Sequence, residues 1–158
     1  MKLMKMRNIK NIPVLLEDTV EHLGRVGRAV IGDDYRLLYL VINLDEGKQV
    51  MVTRDDFLLT QEAVMIWRLE SMKSYLHGEE LSVYEKKLGD RVYNPDGREL
   101  GIVSDFVLDT EDKKVRCIEV SSGVIRDWLE GRLEIPLEQI RWASNVNVIA
   151  NKEGSDTV

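Results

Sequence analysis

LGDRVYNPDGRELGIVSDFVLDTEDKKVRCIEV, residues 88–120, alternates short β-rich runs with two turns, and it is the stretch from which the fold can be read. Asn94-Pro95-Asp96-Gly97 supplies a fixed φ and then a residue that tolerates φ > 0, which is the chemistry of a tight link between neighbouring strands. Asp109-Thr110-Glu111-Asp112 is a second polar turn, followed by the β-rich run Val115 to Val120. Strands this short, joined this tightly, predict a small β-barrel.

Working outward, the same plan occurs earlier in the chain. Leu23-Gly24-Arg25-Val26 with Val30 has the spacing of Leu100-Gly101-Ile102-Val103 with Val107. On strands these glycines and valines share a face, and glycine permits a bend or a close approach of backbone. Upstream, Ile12-Pro13-Val14 corresponds to Gly89-Asp90-Arg91-Val92; downstream, Gly32-Asp33-Asp34 leads into Leu37 to Ile42. Val50 and Val52 flank Met51 much as Leu133 and Ile135 flank Glu134, giving each half one alternating strand. Arg54 to Leu58 and Pro136 to Ile140 each suit one helical turn, and Ala63 to Trp67 and Asn145 to Ile149 are the expected last strands. Met4-Lys5-Met6-Arg7 has the period of two of a first, edge strand.

The expected organisation is all-β: a first copy over residues 1–70, a connector over 71–87, a second copy over 88–150 and a flexible polar tail over 151–158. Arg68 to Lys87 breaks the β pattern, with a helical turn or two expected within Glu79 to Lys87. Hydrophobic residues make up 44% and charged residues 32% of the chain, with both signs interspersed and a net charge of -6, which describes a globular protein and argues against a general affinity for nucleic acid. The N-terminal segment has four basic residues but lacks a signal peptide's apolar run, and no stretch is long enough to span a membrane. Cys117 is the one cysteine, so no internal disulfide forms, and a cytoplasmic location is expected.

Reactive constellations are missing from the pattern. His22 and His77 lie in unrelated segments without cysteine or histidine at ligand spacing, so no metal site is expected. Asp33-Asp34 and Asp55-Asp56 read as solvated turns, since the spaced acids of a calcium loop are absent. Ser121-Ser122-Gly123 lacks a nucleophile elbow, Cys117 reads as a small strand hydrophobe, and the glycines form no phosphate-binding loop. The expectation is a non-enzymatic chain with no cofactor. Trp67 and Trp142, at strand ends, read as packing residues.

The two halves disagree at one place. Where the first has Asp45-Glu46-Gly47-Lys48, the second inserts Gly123 to Gly131, a loop holding Val124, Ile125, Arg126, Trp128 and Leu129. A turn needs no such residues. Aromatic and aliphatic side chains beside arginine are the composition of a binding hot spot, and the same residues would also suit a lid over the barrel end.

Taken together, Leu88-Gly89-Asp90-Arg91-Val92, Asp96-Gly97, Leu100-Gly101-Ile102-Val103-Ser104-Asp105, Leu133-Glu134-Ile135-Pro136 and Gln139-Ile140 resemble the PRC-barrel family in order and spacing. Ile12-Pro13-Val14, Leu23-Gly24-Arg25-Val26 and Gly32-Asp33 resemble it in a more diverged copy, with Val52-Thr53 replacing the isoleucine-proline pair. The family includes the cytoplasmic barrel of the photosynthetic reaction-centre H subunit and the C-terminal barrel of the ribosome maturation factor. This resemblance implies two tandem small PRC-type β-barrels acting as a protein-protein interaction module, and the apolar insertion makes the expectation an adaptor that docks a protein partner through Val124 to Leu129 and the adjoining barrel face. The alternative it implies is an RNA-associated factor in ribosome maturation or RNA processing, working through a protein partner without direct DNA or RNA contact. Self-association into a homo-oligomer is a further use of the same surface.

Overall fold

The computed structural model describes residues 2–75, 82–143 and 147–150. Expectations placed on His77, on the 151–158 tail and on the start of the Asn145 strand lie outside these residues. The described chain is mostly β and divides into two compact units, Met1–Val83 with Leu108–Lys114, and Tyr84–Val107 with Val115–Val158.

In the first unit, β1 (Leu3–Lys5) is followed by a 3-10 turn at Met6–Asn8, so the expected first strand stops where that turn begins. Met4 and Met6 are buried, as the period of two requires. Next come β2 (Pro13–Leu16), β3 (Glu21–Ile31), β4 (Leu37–Leu44), β5 (Gln49–Thr53), a 3-10 turn at Arg54–Asp56, β6 (Phe57–Leu59), β7 (Val64–Ile66), a 3-10 turn at Leu69–Ser71, and β8 (Lys73–Ser74). Their order in the sheet is β6-β7-β2-β3-β4-β5-β8. Val14, Val26, Leu40, Ile42, Val52, Phe57, Val64 and Ile66 form a fully buried core, the main source of stability in such a sheet.

Residues 108–114 complete this unit from far along the chain. The Lys113 carbonyl accepts the Leu37 amide (2.8 Å), and the Thr110 amide donates to the Lys2 carbonyl (2.9 Å). The Lys113 ammonium donates to the Arg54 carbonyl and to the Phe57 carbonyl (2.6 Å), and lies 4.2 Å from the centre of the Phe57 ring. Burial pushes this ammonium below the usual lysine range, with Asp55 acting in the opposite direction.

A short helix, α1 (Val83–Lys87), opens at the division between the units. The second unit then holds β9 (Arg91–Tyr93), β10 (Glu99–Asp109, its last two residues counted with the first unit), β11 (Val115–Ser121), α2 (Val124–Glu130), β12 (Leu133–Pro136), a 3-10 turn at Leu137–Gln139, β13 (Ile140–Trp142) and β14 (Asn147–Ala150). Its strand order is β13-β14-β9-β10-β11-β12. Val92, Val103, Phe106, Ile118, Ile135 and Val148 are its buried centre. The turn read from Asn94 to Gly97 is present: the Asn94 side chain accepts the amides of Asp96 (3.0 Å) and Arg98 (2.9 Å), and Gly97 has φ of 85°.

Strand for strand, β13-β14-β9-β10-β11-β12 repeats β6-β7-β2-β3-β4-β5, down to the parallel pairing of β14 with β9 and of β7 with β2. Both expected helical turns are there, each a 3-10 turn after β5 or β12. The recurring leucine-glycine pair has a physical cause. Register skips Leu23, since Val14 faces Gly24 and Leu15 faces His22; it skips Leu100, since Tyr93 faces Glu99 and Val92 faces Gly101. Each leucine is therefore the extra residue of a β-bulge, and the glycine beside it lets the next strand come close. A Cβ on Gly24 would sit 2.2 Å from the Asn43 carbonyl oxygen, and one on Gly101 would sit 2.2 Å from that of Ser121.

Candidate functional site

The insertion after β11 is a helix, not the loop its sequence suggests. Gly123 (φ 118°) turns the chain out of β11, and the Asp127 amide donates to the Gly123 carbonyl (2.8 Å). Gly131 (φ 77°) ends the helix, its amide bonded to the Asp127 carbonyl (2.8 Å). Glycines at both ends, with apolar residues at i, i+1, i+4 and i+5 between them, are a helix signal that was present in the sequence.

What fixes α2 in place is polar. The Asp127 carboxylate accepts the Ser121 hydroxyl (2.5 Å), the Ser122 amide (3.0 Å) and the Arg132 Nε (3.2 Å). These contacts, led by the Ser121 hydroxyl, hold the Asp127 carboxyl below the usual carboxylate range against a smaller upward push from desolvation. Arg132 also donates Nη1 to Oε1 of Glu119 (2.8 Å), and the Ser104 hydroxyl lies 2.8 Å from that same oxygen. Glu119 is fully buried in β11, so its charge depends on these partners. The chain of contacts Ser104, Glu119, Arg132, Asp127, Ser121 thus ties α2 to β10 and β11. None of these five residues stood out in the sequence as a clamp, because the hydrogen bonds link three separate elements. A carboxylate inside the apolar run Val115 to Val120 was the one hint.

With Asp127 turned to the strands, Arg126 and residues 128–130 are exposed. Trp128 is 83% exposed and Leu129 68% exposed, so Trp128 is not a lid in this structure. Arg126 is also exposed and pairs with Glu130 one turn on (3.9 Å). Backbone positions 124 and 125 belong to the first turn of the same helix. Of the residues expected to bind a partner, Arg126, Trp128 and Leu129 therefore lie together on an open surface.

The other candidates fall elsewhere. His22 and Asp45 form an exposed pair (2.7 Å) joining the start of β3 to the β4–β5 turn. Asp34 accepts the Arg36 amide (3.2 Å) and Asp56 accepts the Thr53 hydroxyl (3.0 Å), each inside its own turn. No group of three or more metal-ligating side chains occurs among the described residues. Cys117 is half-buried in β11, and burial together with Glu134 and Glu138 pushes its thiol up, away from nucleophilic use. Trp142 packs under the Lys87 ammonium (5.2 Å to the ring centre), whereas Trp67 is 41% exposed. No helix among the described residues is long and apolar enough to cross a membrane.

Comparison with known proteins bears on the second half of the chain. No curated protein matches it. The family model of the PRC-barrel domain matches residues 84–152, which take in all of α1 but Val83 and every strand from β9 to β14. Residues 84–152 are accordingly a PRC-barrel domain.

Proposed function

We propose that this chain is a non-enzymatic, cytoplasmic adaptor built from two PRC-type barrels, the first a diverged copy of the second, and that it docks a partner protein through α2. The observation that carries this reading is the 83% exposure of Trp128 on a helix that a five-residue polar clamp holds still. Large apolar side chains cost free energy in water, and a rigid platform lowers the entropy lost on binding. Trp and Arg are the residue types that most often dominate an interface. For the diverged first copy, the support is the shared strand order and the bulge-glycine pair at both Leu23-Gly24 and Leu100-Gly101.

Replacing both Trp128→Ala and Leu129→Ser tests the reading, because neither side chain is part of the core. The melting temperature is expected to stay within about 2–4 °C, as for surface changes of up to ~0.5 kcal/mol. Capture of the partner from the native cell by the full chain is expected to be abolished. A partner retained by the double variant would refute docking through α2.

A further inference from the structure

Along β6, β7 and β2 the sheet of the first unit turns an apolar row outward. Pairing sets Leu58 opposite Met65, and Met65 opposite Leu15. The alternate residues Phe57, Leu59, Val64, Ile66 and Val14 are buried in the core, so the period of two puts the row on the other face. Leu58 is 49% exposed, and Met65 and Leu15 are partly exposed. Trp67, two residues beyond Met65, is exposed at the end of that strand. In the second unit the same row reads Arg141, Ile149 and Tyr93, with a charge in the place of Leu58.

Carboxylates border the row at both ends. The turn after β2 carries Glu17 and Asp18, and the Glu17 amide donates to the Ile66 carbonyl (2.9 Å), which sets this turn beside Trp67. Glu17, Asp18 and Glu70 are exposed and outnumber Arg68 there, and none of the three makes an ion pair among the described residues. Val20, in the same turn, is 62% exposed at φ of 56°, a conformation that β-branched residues avoid, where the second unit has Gly97. At the other end Leu58 opens on a depression of about 510 Å³ that it shares with Lys2, Glu62 and Glu111, again with more carboxylate than ammonium. These acids do not converge on a point, since no group of three or more metal-ligating side chains occurs among the described residues. They are a border around an apolar face.

We infer that the outer face of β6, β7 and β2 seats a segment of another protein that presents apolar residues flanked by lysine or arginine. The apolar row supplies the area removed from water, and the unpaired carboxylates at its ends select the sign of the charges beside it. The same border rejects the other occupants. A second copy meeting this face with its own would set carboxylates against carboxylates, and a nucleic acid or an anionic membrane would bring phosphates to them. The face belongs to the first unit, so the inference goes beyond the docking role of α2 and does not depend on it.

The experiment is a selection of random displayed peptides on the full chain, with the winners measured on the double variant Glu17→Lys with Asp18→Lys and on Leu58→Ser. Enriched peptides are expected to hold apolar residues between lysines or arginines, and to bind more weakly as salt is raised. They should lose about tenfold in affinity on the charge-reversed variant, whose substitutions lie in an exposed turn, and a similar factor on Leu58→Ser. In the parent, the Met65 methyl NMR resonance should shift on binding, a readout that needs no substitution to fold. Four outcomes overturn the inference: no peptide is enriched; the enriched peptides lack basic residues; they bind with the Met65 methyl unmoved; or the parent is a dimer whose dissociation moves that methyl, which would assign the face to a second copy. Peptides lost on Trp128→Ala but indifferent to Glu17→Lys with Asp18→Lys would leave α2 docking intact and remove this face, and peptides with the opposite behaviour would support it whatever becomes of α2.

Discussion

The two units carry one strand order with different finishings. After β4 the first makes a short turn and covers β5 with β8; after β11 the second grows α2 and leaves β12 without a neighbour among the described residues. The contrast extends to the opposite edge. Across β6, β7 and β2 the outward row is Leu58, Met65 and Leu15, and across β13, β14 and β9 it is Arg141, Ile149 and Tyr93. The bulge and the 3-10 turn are shared, whereas the differences lie at the sheet edges, in α2 and in the polar contacts around the buried Glu119.

The deepest way to break the likeness is at its shared bulge. Gly24→Ala and Gly101→Ala both drive a Cβ into a carbonyl of the neighbouring strand, and the second also forces alanine to φ of 146°. Denaturant unfolding should show losses of about 1–3 kcal/mol from overpacking for Gly24→Ala, and about 1–3 kcal/mol more for Gly101→Ala from backbone strain. Equal losses would mean that the backbone at Gly101 relaxes.

Next in size is the clamp of the second unit. Arg132→Leu strands the buried Glu119 carboxylate and should cost about 2–3 kcal/mol, below the ~3–5 kcal/mol of a fully buried pair because Arg132 is itself partly exposed. Adding Glu119→Gln to that variant should restore most of the loss, as read by thermal unfolding.

Lys113 sharpens the comparison from the first unit. Lys113→Ala leaves the Arg54 and Phe57 carbonyls without their cation and should cost about 1.5–3 kcal/mol, the range for hydrogen bonds to a charged group. Since the folded lysine binds its proton more weakly than the unfolded one, the parent should gain stability as pH rises towards about 10.4, and the variant should lose that gain.

The smallest effect concerns the acid limit of α2. Asp127 has a depressed pKa, so its contribution is complete above the unfolded value and is lost as pH falls through the folded one. Trp128 emission should therefore hold steady from neutral pH down to about 4 and change only below it. The Asp127→Asn variant should lack that acid transition.

Much of the architecture was legible because its signals are local. Asn94 to Gly97 makes its turn from its own side chain and a glycine, and Leu-Gly marks a bulge wherever the next strand crowds the glycine. Strands of two or three residues such as β6, β8 and β13 were hidden, since a period of two cannot be recognised over so short a run. The helical form of α2 rested on a weak signal, two apolar pairs four residues apart between glycines with no capping side chain at its start, while Trp128 and Leu129 were legible as misplaced in any turn. The clamp and the seat of Lys113 depend on partners far apart in sequence, 13 residues for Arg132 with Glu119 and 59 for Lys113 with Arg54, and no local pattern encodes them.

One consequence follows from the membership of Leu108–Lys114 in the first unit. During synthesis the N-terminal strands leave the ribosome well before the residues that finish them, so domain-by-domain folding along the nascent chain is not open to this protein. Leu37 and Phe57 wait for Lys113, and by the time it emerges β9 and β10 have been made as well. The first unit reaches its finished state only once Tyr84–Val107, about a third of the second, has been translated.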